Sequence, residues 1–265
     1  MRQGITRWTI YLLCLCIVGP AAGAMVGMLR AADGSHVASP LFCTTPLLGI
    51  GVALTAMGLA LVMGLLAGKL VNVSAGYTAA GLVLAWAAWG SGEVHTMIRS
   101  SQSGGPLLAQ AAEGAIFGIL TIAIAFAIWK FGTHEEHGPG QVKGLSASLP
   151  VGIFAGALAA WLIAISPLKG QAVFGAIAAG VGVAAAARLM DPKVALAPLA
   201  IAMAALAILG PLSGYAMAGG QAVHAAYKGS LFPLANITAL DWIAGALLGL
   251  PLGAAWAGSM MEKKS

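Results

Sequence analysis

Two stretches of the sequence place a base four residues after a histidine. The first is VHTMIRSS, residues 94–101, with His95 and Arg99, and the second is VHAAYKGS, residues 223–230, with His224 and Lys228. On a helix, side chains four residues apart lie on the same face. Because histidine changes its charge near neutral pH, such a set could relay protons or bind an anion.

An apolar run with a single acid follows each of these stretches. Glu113 lies in the first run and Asp241 in the second. A carboxylate in such a run costs roughly a few kcal/mol unless it is paired, protonated or hydrated. We expect Arg99 to pair with Glu113, and Lys228 with Asp241, at the outer ends of the helices. These sets are either a functional path in an outer-facing vestibule or structural ion pairs that pin each outer loop to the next helix.

Other reactive residues give no catalytic pattern. HEEH at residues 134–137 has its histidines three residues apart, whereas the metalloprotease pattern needs four, so we predict a solvated linker and no metal site. The three cysteines form no CxxC pair and predict no disulfide. No catalytic residue and no cofactor is predicted, and an intramembrane enzyme acting on lipids stays a minor alternative.

The composition indicates a membrane protein. Apolar residues make up 60% of the chain, the 13 bases and 8 acids cannot cover a soluble surface, and the mean hydropathy is +0.92. Runs of about 20 apolar residues cross a bilayer as helices, since lipid offers the backbone no partners. The bases are scattered singly, so no nucleic-acid surface is expected.

The fold class is therefore predicted to be all-α: a polytopic bundle of about eight transmembrane helices in a lipid bilayer. The predicted spans are 8–29, 47–68, 72–90, 107–130, 148–166, 172–189, 195–217 and 234–260. The first has the three zones of a cleavable signal peptide, but its apolar run continues as MVGML, so we expect it to be retained.

The distribution of bases predicts the orientation, because cytoplasmic loops carry the excess of Lys and Arg. With the N-terminus inside, nine bases fall on the inner side and four, Arg30, Arg99, Lys169 and Lys228, on the outer side. Both termini are then cytoplasmic, and a bacterial inner membrane is the expected location.

Several sequence matches predict an internal duplication. GPAAGAMVGML at 19–29 resembles GIFAGALAAWL at 152–162, and SPL follows each, at 39–41 and 166–168. The same order continues in both parts of the chain. GKLVN at 68–72 matches ARLMD at 187–191, and a VH stretch and an acid follow each of them. We predict two parallel four-helix halves, residues 1–131 and 148–265, joined by a cytoplasmic linker at 132–147.

Pairs of glycines four residues apart recur in the predicted spans. Such spacing lets two helix backbones approach closely, so we interpret these glycines as helix-packing residues. They are Gly19 and Gly23, Gly114 and Gly118, Gly152 and Gly156, and Gly245 and Gly249.

Parallel repeats and intramembrane acids both recur in transporters, so the leading hypothesis is a small-solute or ion transporter or channel with its pathway between the halves. The alternative is a non-transporting scaffold or anchor subunit of a larger membrane complex. The expected partners are the bilayer and a solute or ion, with a second copy of the chain or a membrane complex as alternatives.

Overall fold

The computed structural model describes residues 2–36, 38–133 and 145–262 of the chain. These residues form helices and connections without any strand. The α-helices are α1 Arg2–Leu13, α2 Gly19–Gly27, α3 Pro46–Leu70, α4 Val73–Gly90, α5 Val94–Ser101, α6 Gly105–Phe131, α7 Leu145–Ile163, α8 Lys169–Met190, α9 Leu196–Ala218, α10 Ala222–Lys228 and α11 Ala239–Glu262. Short 3₁₀ turns occupy Gly219–Gln221 and Pro233–Asn236.

Seven helical segments of the described residues are long and apolar enough to cross a membrane, which indicates an integral membrane protein. They are Gln3–Gly27, Pro46–Leu70, Gly105–Phe131, Leu145–Ile163, Lys169–Met190, Leu196–Lys228 and Ala239–Met261. The third predicted span, 72–90, corresponds to α4, which is not among the seven.

The first span is interrupted by a π-helical turn at Cys14–Val18, between α1 and α2. Pro20, the second residue of α2, has no N–H and so cannot donate to the Cys16 carbonyl one turn earlier. The Gly19 N–H instead bonds the carbonyl of Cys14, five residues back. The wider π-helical turn therefore accommodates the hydrogen bond that the helix lacks at the proline.

Four connections meet at one end of the bundle, which we call the loop end. Gly92 N donates to Ala38 O at 2.8 Å and Asn236 Nδ2 donates to Ala164 O at 3.0 Å. At the opposite end, the Thr133 N–H donates to Gly68 O, and the Thr133 carbonyl accepts from the Val73 N–H. Helix α4 therefore runs from one end of the bundle to the other.

Glycines bring neighbouring helices into backbone contact. A Cβ at Gly114 or Gly118 of α6 would collide with Ala207 or Ala204 of α9. A Cβ at the other six predicted packing glycines would press on a neighbouring helix in the same way: Gly19 and Gly23 on Trp86 of α4, Gly152 and Gly156 on Val183 of α8, and Gly245 and Gly249 on Ala176 and Ile177 of α8. Close approach of this kind is what holds helices together in lipid.

Candidate functional site

The two intramembrane acids lie near the loop end of the bundle, on helices that run in the same direction. Glu113 is in the third turn of α6 and Asp241 in the first turn of α11, and both side chains are 0% exposed. Both helices begin at the loop end, which brings two residues 128 positions apart in sequence to one side of the bundle.

Glu113 holds the connection between α2 and α3. Its Oε1 accepts from Ser39 Oγ at 2.6 Å and from the Leu41 N–H at 2.6 Å. No base lies within ion-pair distance of this carboxylate among the described residues. The acid therefore fixes an irregular segment to α6 through hydrogen bonds alone.

Asp241 forms a buried ion pair with Lys169, the first residue of α8. Lys169 Nζ lies 2.9 Å from Asp241 Oδ1 and 3.1 Å from Oδ2, and the lysine side chain is 11% exposed. The ammonium also donates to Ser91 Oγ at 3.0 Å and lies 3.4 Å from Thr238 Oγ1. This pair joins the loop ends of α8 and α11.

Gln110 connects the surroundings of the two acids. Its Oε1 accepts from the Ala239 N–H at the start of α11, at 2.8 Å. Its Nε2 approaches the Glu113 carboxyl one turn further along α6, without reaching hydrogen-bond geometry. Hydrogen bonds thus connect Lys169, Asp241 and Thr238, and Gln110, bonded to the next N–H of α11, lies between this group and Glu113.

Most of these acceptors serve backbone N–H groups at the starts of helices. The first N–H groups of a helix have no partner within it, and at the loop end α11 starts inside the protein whereas α8 starts half-buried. Glu93 Oε1 accepts from the Lys169 N–H at 3.2 Å. Asp241 Oδ2 accepts from Thr238 N at 2.9 Å, and Thr238 Oγ1 accepts from Asp241 N at 3.2 Å, the reciprocal arrangement of a capping box.

Replacing Thr238 with Ala should destabilise the protein by about 1 kcal/mol, since the cap of α11 loses its hydroxyl acceptor. Thr238→Ser keeps the hydroxyl, so it should lose much less stability than Thr238→Ala. Thermal unfolding of both variants in detergent measures the difference. Equal loss in the two variants would show that the methyl group, and not the cap, is what α11 needs.

The predicted ion pairs, Arg99 with Glu113 and Lys228 with Asp241, are wrong. Arg99 donates through Nε and Nη2 to Ala226 O, at 3.2 and 2.8 Å, and its guanidinium lies 5.3 Å from the centre of the Tyr227 ring. Lys228 is exposed. The two VH stretches form α5 and α10, and these short helices pack on each other, so Arg99 reaches a carbonyl at the end of α10 before it can reach α6.

The two histidines have different surroundings. His224 is exposed. His95 is buried, and its Nε2 lies 3.7 Å from Glu93 Oε2. Burial lowers the pKa of His95, with Glu93 opposing the shift and Arg99 adding to it, which favours the neutral ring. Neither histidine contacts Glu113 or Asp241.

Two cavities open at the loop end. The larger, of about 400 Å³, lies between the start of α6 at Gly105 and the turn that joins α9 to α10 at Gly219. The second, of about 310 Å³, is lined by Trp89, Glu93 and Lys169 among others. Lys169 thus links this second cavity to the buried Asp241.

Sequence reasoning missed Lys169, Ser39 and Gln110. The SPL repeat carried the signal for the first two. Ser39 and Leu41 of the first SPL bond Glu113, and Lys169 directly follows the second SPL and pairs with Asp241. The sequence offered no comparable signal for Gln110.

The HEEH segment at 134–137 lies outside the described residues. In the part of the chain that the structure describes, no three His, Cys, Asp or Glu residues are grouped so that they could hold a metal ion. Comparisons of the chain with protein-family models, with characterised proteins and with solved structures find no match.

Proposed function

We propose that the protein is a membrane transporter or channel for a small solute or ion, with its pathway between the two halves of the chain. The observation that carries the proposal is the series of buried polar groups from Lys169 to Glu113. It begins at the 310 Å³ cavity and crosses from α8 and α11, in the second half, to α6 in the first. Buried polar groups in a membrane interior are expensive and typically mark pathways for ions or solutes.

In this proposal the Lys169–Asp241 pair is the gate below the cavity. Opening it would separate α8 from α11 and expose Gln110 and then Glu113. The ion pair closes the pathway because each charge satisfies the other without water. A solute that offers its own charge to Lys169 or Asp241 can replace one partner in the pair.

The proposed arrangement has eight crossings, with both termini on the cytoplasmic side of a bacterial inner membrane. Helix α4 has 18 residues and therefore spans about 27 Å, close to the hydrocarbon thickness. Its end-to-end course supports counting it as the eighth crossing. The excess of bases at the end opposite the loop end supports the orientation.

The proposed duplication gains support from the contacts of the acids. In each half, the acid of the last long helix contacts the segment that contains or follows SPL, and the two VH helices pack together. The packing of the long helices departs from the proposed equivalence. Helix α8 packs chiefly on α11, whereas α3, its proposed counterpart, packs chiefly on α4.

A second candidate function is a non-transporting scaffold or anchor subunit that binds another copy of the chain or a membrane complex. One observation favours it. Both acids are fully buried, and neither lines the two cavities described above. In this alternative the polar groups serve only to cap helix starts and to fix the connections.

Thiol labelling separates the two functions without knowledge of the substrate. Thr121, which is 2% exposed, lies two turns beyond Glu113 on α6. In a background without Cys14, Cys16 and Cys43, Thr121→Cys in proteoliposomes should react with a water-soluble, membrane-impermeant thiol reagent, because a transport pathway must hydrate this position during its cycle.

Two matched variants calibrate the reaction. Thr96→Cys, in the lining of the 310 Å³ cavity, should react fast, and Ile119→Cys, 67% exposed on the outer surface of α6, should stay unreactive in lipid. A Thr121→Cys variant that stays as unreactive as Ile119→Cys, while Thr96→Cys reacts, would rule out the pathway and leave the scaffold.

A further inference from the structure

We infer that Glu113 is the binding site of a monovalent cation, a proton or Na⁺, that neutralises it inside the membrane. The inference rests on the proposed function and names the ion coupled to it. At the loop end, one of the two buried acids has a base among the described residues and the other has none. A buried charge without a partner is far more costly than a buried pair.

The bases of the neighbouring segments are engaged elsewhere. Lys169 pairs with Asp241, and Arg99 donates to Ala226 O. In the connection that carries Ser39, Arg30 donates to the carbonyls of Gly27 and Leu29. The other titratable groups of that connection are Asp33, which accepts from the Ser35 N–H, His36, which bonds Gly27 O, and Cys43, which donates to Pro40 O.

The helices that pack on α6 supply no further base near Glu113. Helix α9 contains no charged residue, and neither does α4. Helix α3 contributes only Lys69, at the end opposite the loop end. On α5, His95 lies beside Glu93, and on α11 the carboxylate of Asp241 already has its lysine. Among the described residues, Glu113 is thus the buried acid whose charge nothing compensates.

The carboxyl group has one oxygen engaged and one free. Oε1 accepts from Ser39 Oγ and Leu41 N, whereas Oε2 is buried and has no hydrogen-bond partner among the described residues. Gln110 Nε2, close by, is also without a partner there. A proton on Oε2 makes the group a neutral carboxylic acid, and Na⁺ on Oε2 neutralises it while leaving both Oε1 bonds in place.

A cation bound at Oε2 would affect the rest of the protein through the hydrogen bonds at Oε1. An oxygen of a neutralised carboxyl accepts hydrogen bonds less strongly than one of a free carboxylate. The cation therefore weakens the bonds that hold Ser39 and Leu41 on α6. Cation binding at Glu113 would in this way loosen the connection between α2 and α3. This connection lies at the loop end, so its loosening would change how readily a solute or ion enters there.

The test is the melting temperature of the detergent-solubilised full chain, with Glu113→Gln as the variant that mimics the neutralised state. One series replaces choline chloride by NaCl at constant ionic strength and pH, and a second lowers the pH without Na⁺. Because the cation binds the folded state, the wild type should gain about 3–6 °C per tenfold increase in Na⁺ or proton concentration above the dissociation constant. Glu113→Gln should lose this gain.

Each outcome has one meaning. A gain with NaCl that Glu113→Gln abolishes identifies Na⁺, and a gain with acid alone that it abolishes identifies the proton. Identical dependences in wild type and Glu113→Gln overturn the inference. Asp33→Asn is the matched control for the Na⁺ series, since this acid is exposed in a connection, and it should keep the wild-type gain with NaCl.

If Glu113→Gln does not fold, Ser39→Ala serves instead. Removing the Ser39 hydroxyl takes one donor from the free carboxylate, so the midpoint should move to lower Na⁺ concentration or to higher pH. A merely structural role would lower the melting temperature without moving the midpoint, and would overturn the inference. The result is independent of the pathway, because thiol labelling at position 121 can fail while cation binding at Glu113 is observed.

Discussion

Replacing Lys169 with Met should destabilise the protein by about 3–5 kcal/mol, because Asp241 then stays buried with its charge uncompensated. The carboxylate is 0% exposed, and the other groups that bond it, the hydroxyl and N–H of Thr238, are neutral. Met fills much of the volume of the lysine side chain, so the loss reports the charge and not a cavity. Chemical unfolding in detergent micelles measures it.

Two further variants make this expectation specific. Lys228→Met removes the base that the sequence placed beside Asp241, and it should change stability by less than about 0.5 kcal/mol, since Lys228 is exposed. The double variant Lys169→Met with Asp241→Asn removes both charges and should recover most of the stability. A loss at Lys228→Met as large as at Lys169→Met would contradict the ion pair described above.

The long helices were predictable because lipid imposes one requirement on each of them. An apolar run of about 20 residues is sufficient for a crossing, and six of the eight predicted spans overlap long apolar helices closely. The last helix begins at Ala239 and not at 234, because Pro233–Asn236 forms a 3₁₀ turn and Thr238 caps the helix. The predicted span 72–90 corresponds to α4, which is not among the seven long apolar helices.

The partners of the acids were not predictable from spacing, because proximity along the chain does not decide contact in a bundle. Arg99 is 14 positions from Glu113, yet it packs with α10, 127 positions away at Ala226. Lys169 is 72 positions from Asp241 and stands at a helix start that the sequence placed at 172. The acids themselves were identified, because a carboxylate in an apolar run is conspicuous whatever its partner.

The polar groups at the loop end satisfy two separate requirements. Glu93, Gln110 and Asp241 each accept from a backbone N–H at or next to a helix start at the loop end, which any function of this fold would require. The charge of Lys169 and the free oxygen of Glu113 go beyond that requirement, since neutral acceptors could cap the same N–H groups. These two features are therefore where the proposed gate and the proposed cation site lie.

Replacing Gly245 with Ala should destabilise the protein by about 1–3 kcal/mol, because the new methyl group collides with the backbone of Ala176. Helices α8 and α11 meet backbone to backbone along Gly245, Gly249 and Gly180, so no flexible side chain can yield to the added carbon. The helices must separate, which weakens the close contacts that hold them together in lipid. Thermal unfolding in detergent measures the loss.

Gly58→Ala is the matched control for this expectation. Gly58 also lies inside a membrane-spanning helix, α3, but a Cβ there would meet no atom within 4 Å. Alanine favours the helix over glycine by up to about 1 kcal/mol, so this variant should be as stable as the wild type or more stable. If Gly58→Ala and Gly245→Ala had equal effects, the contact between α8 and α11 would not depend on its glycines. A loss confined to Gly245→Ala shows that the close packing of α11 on α8 depends on this glycine.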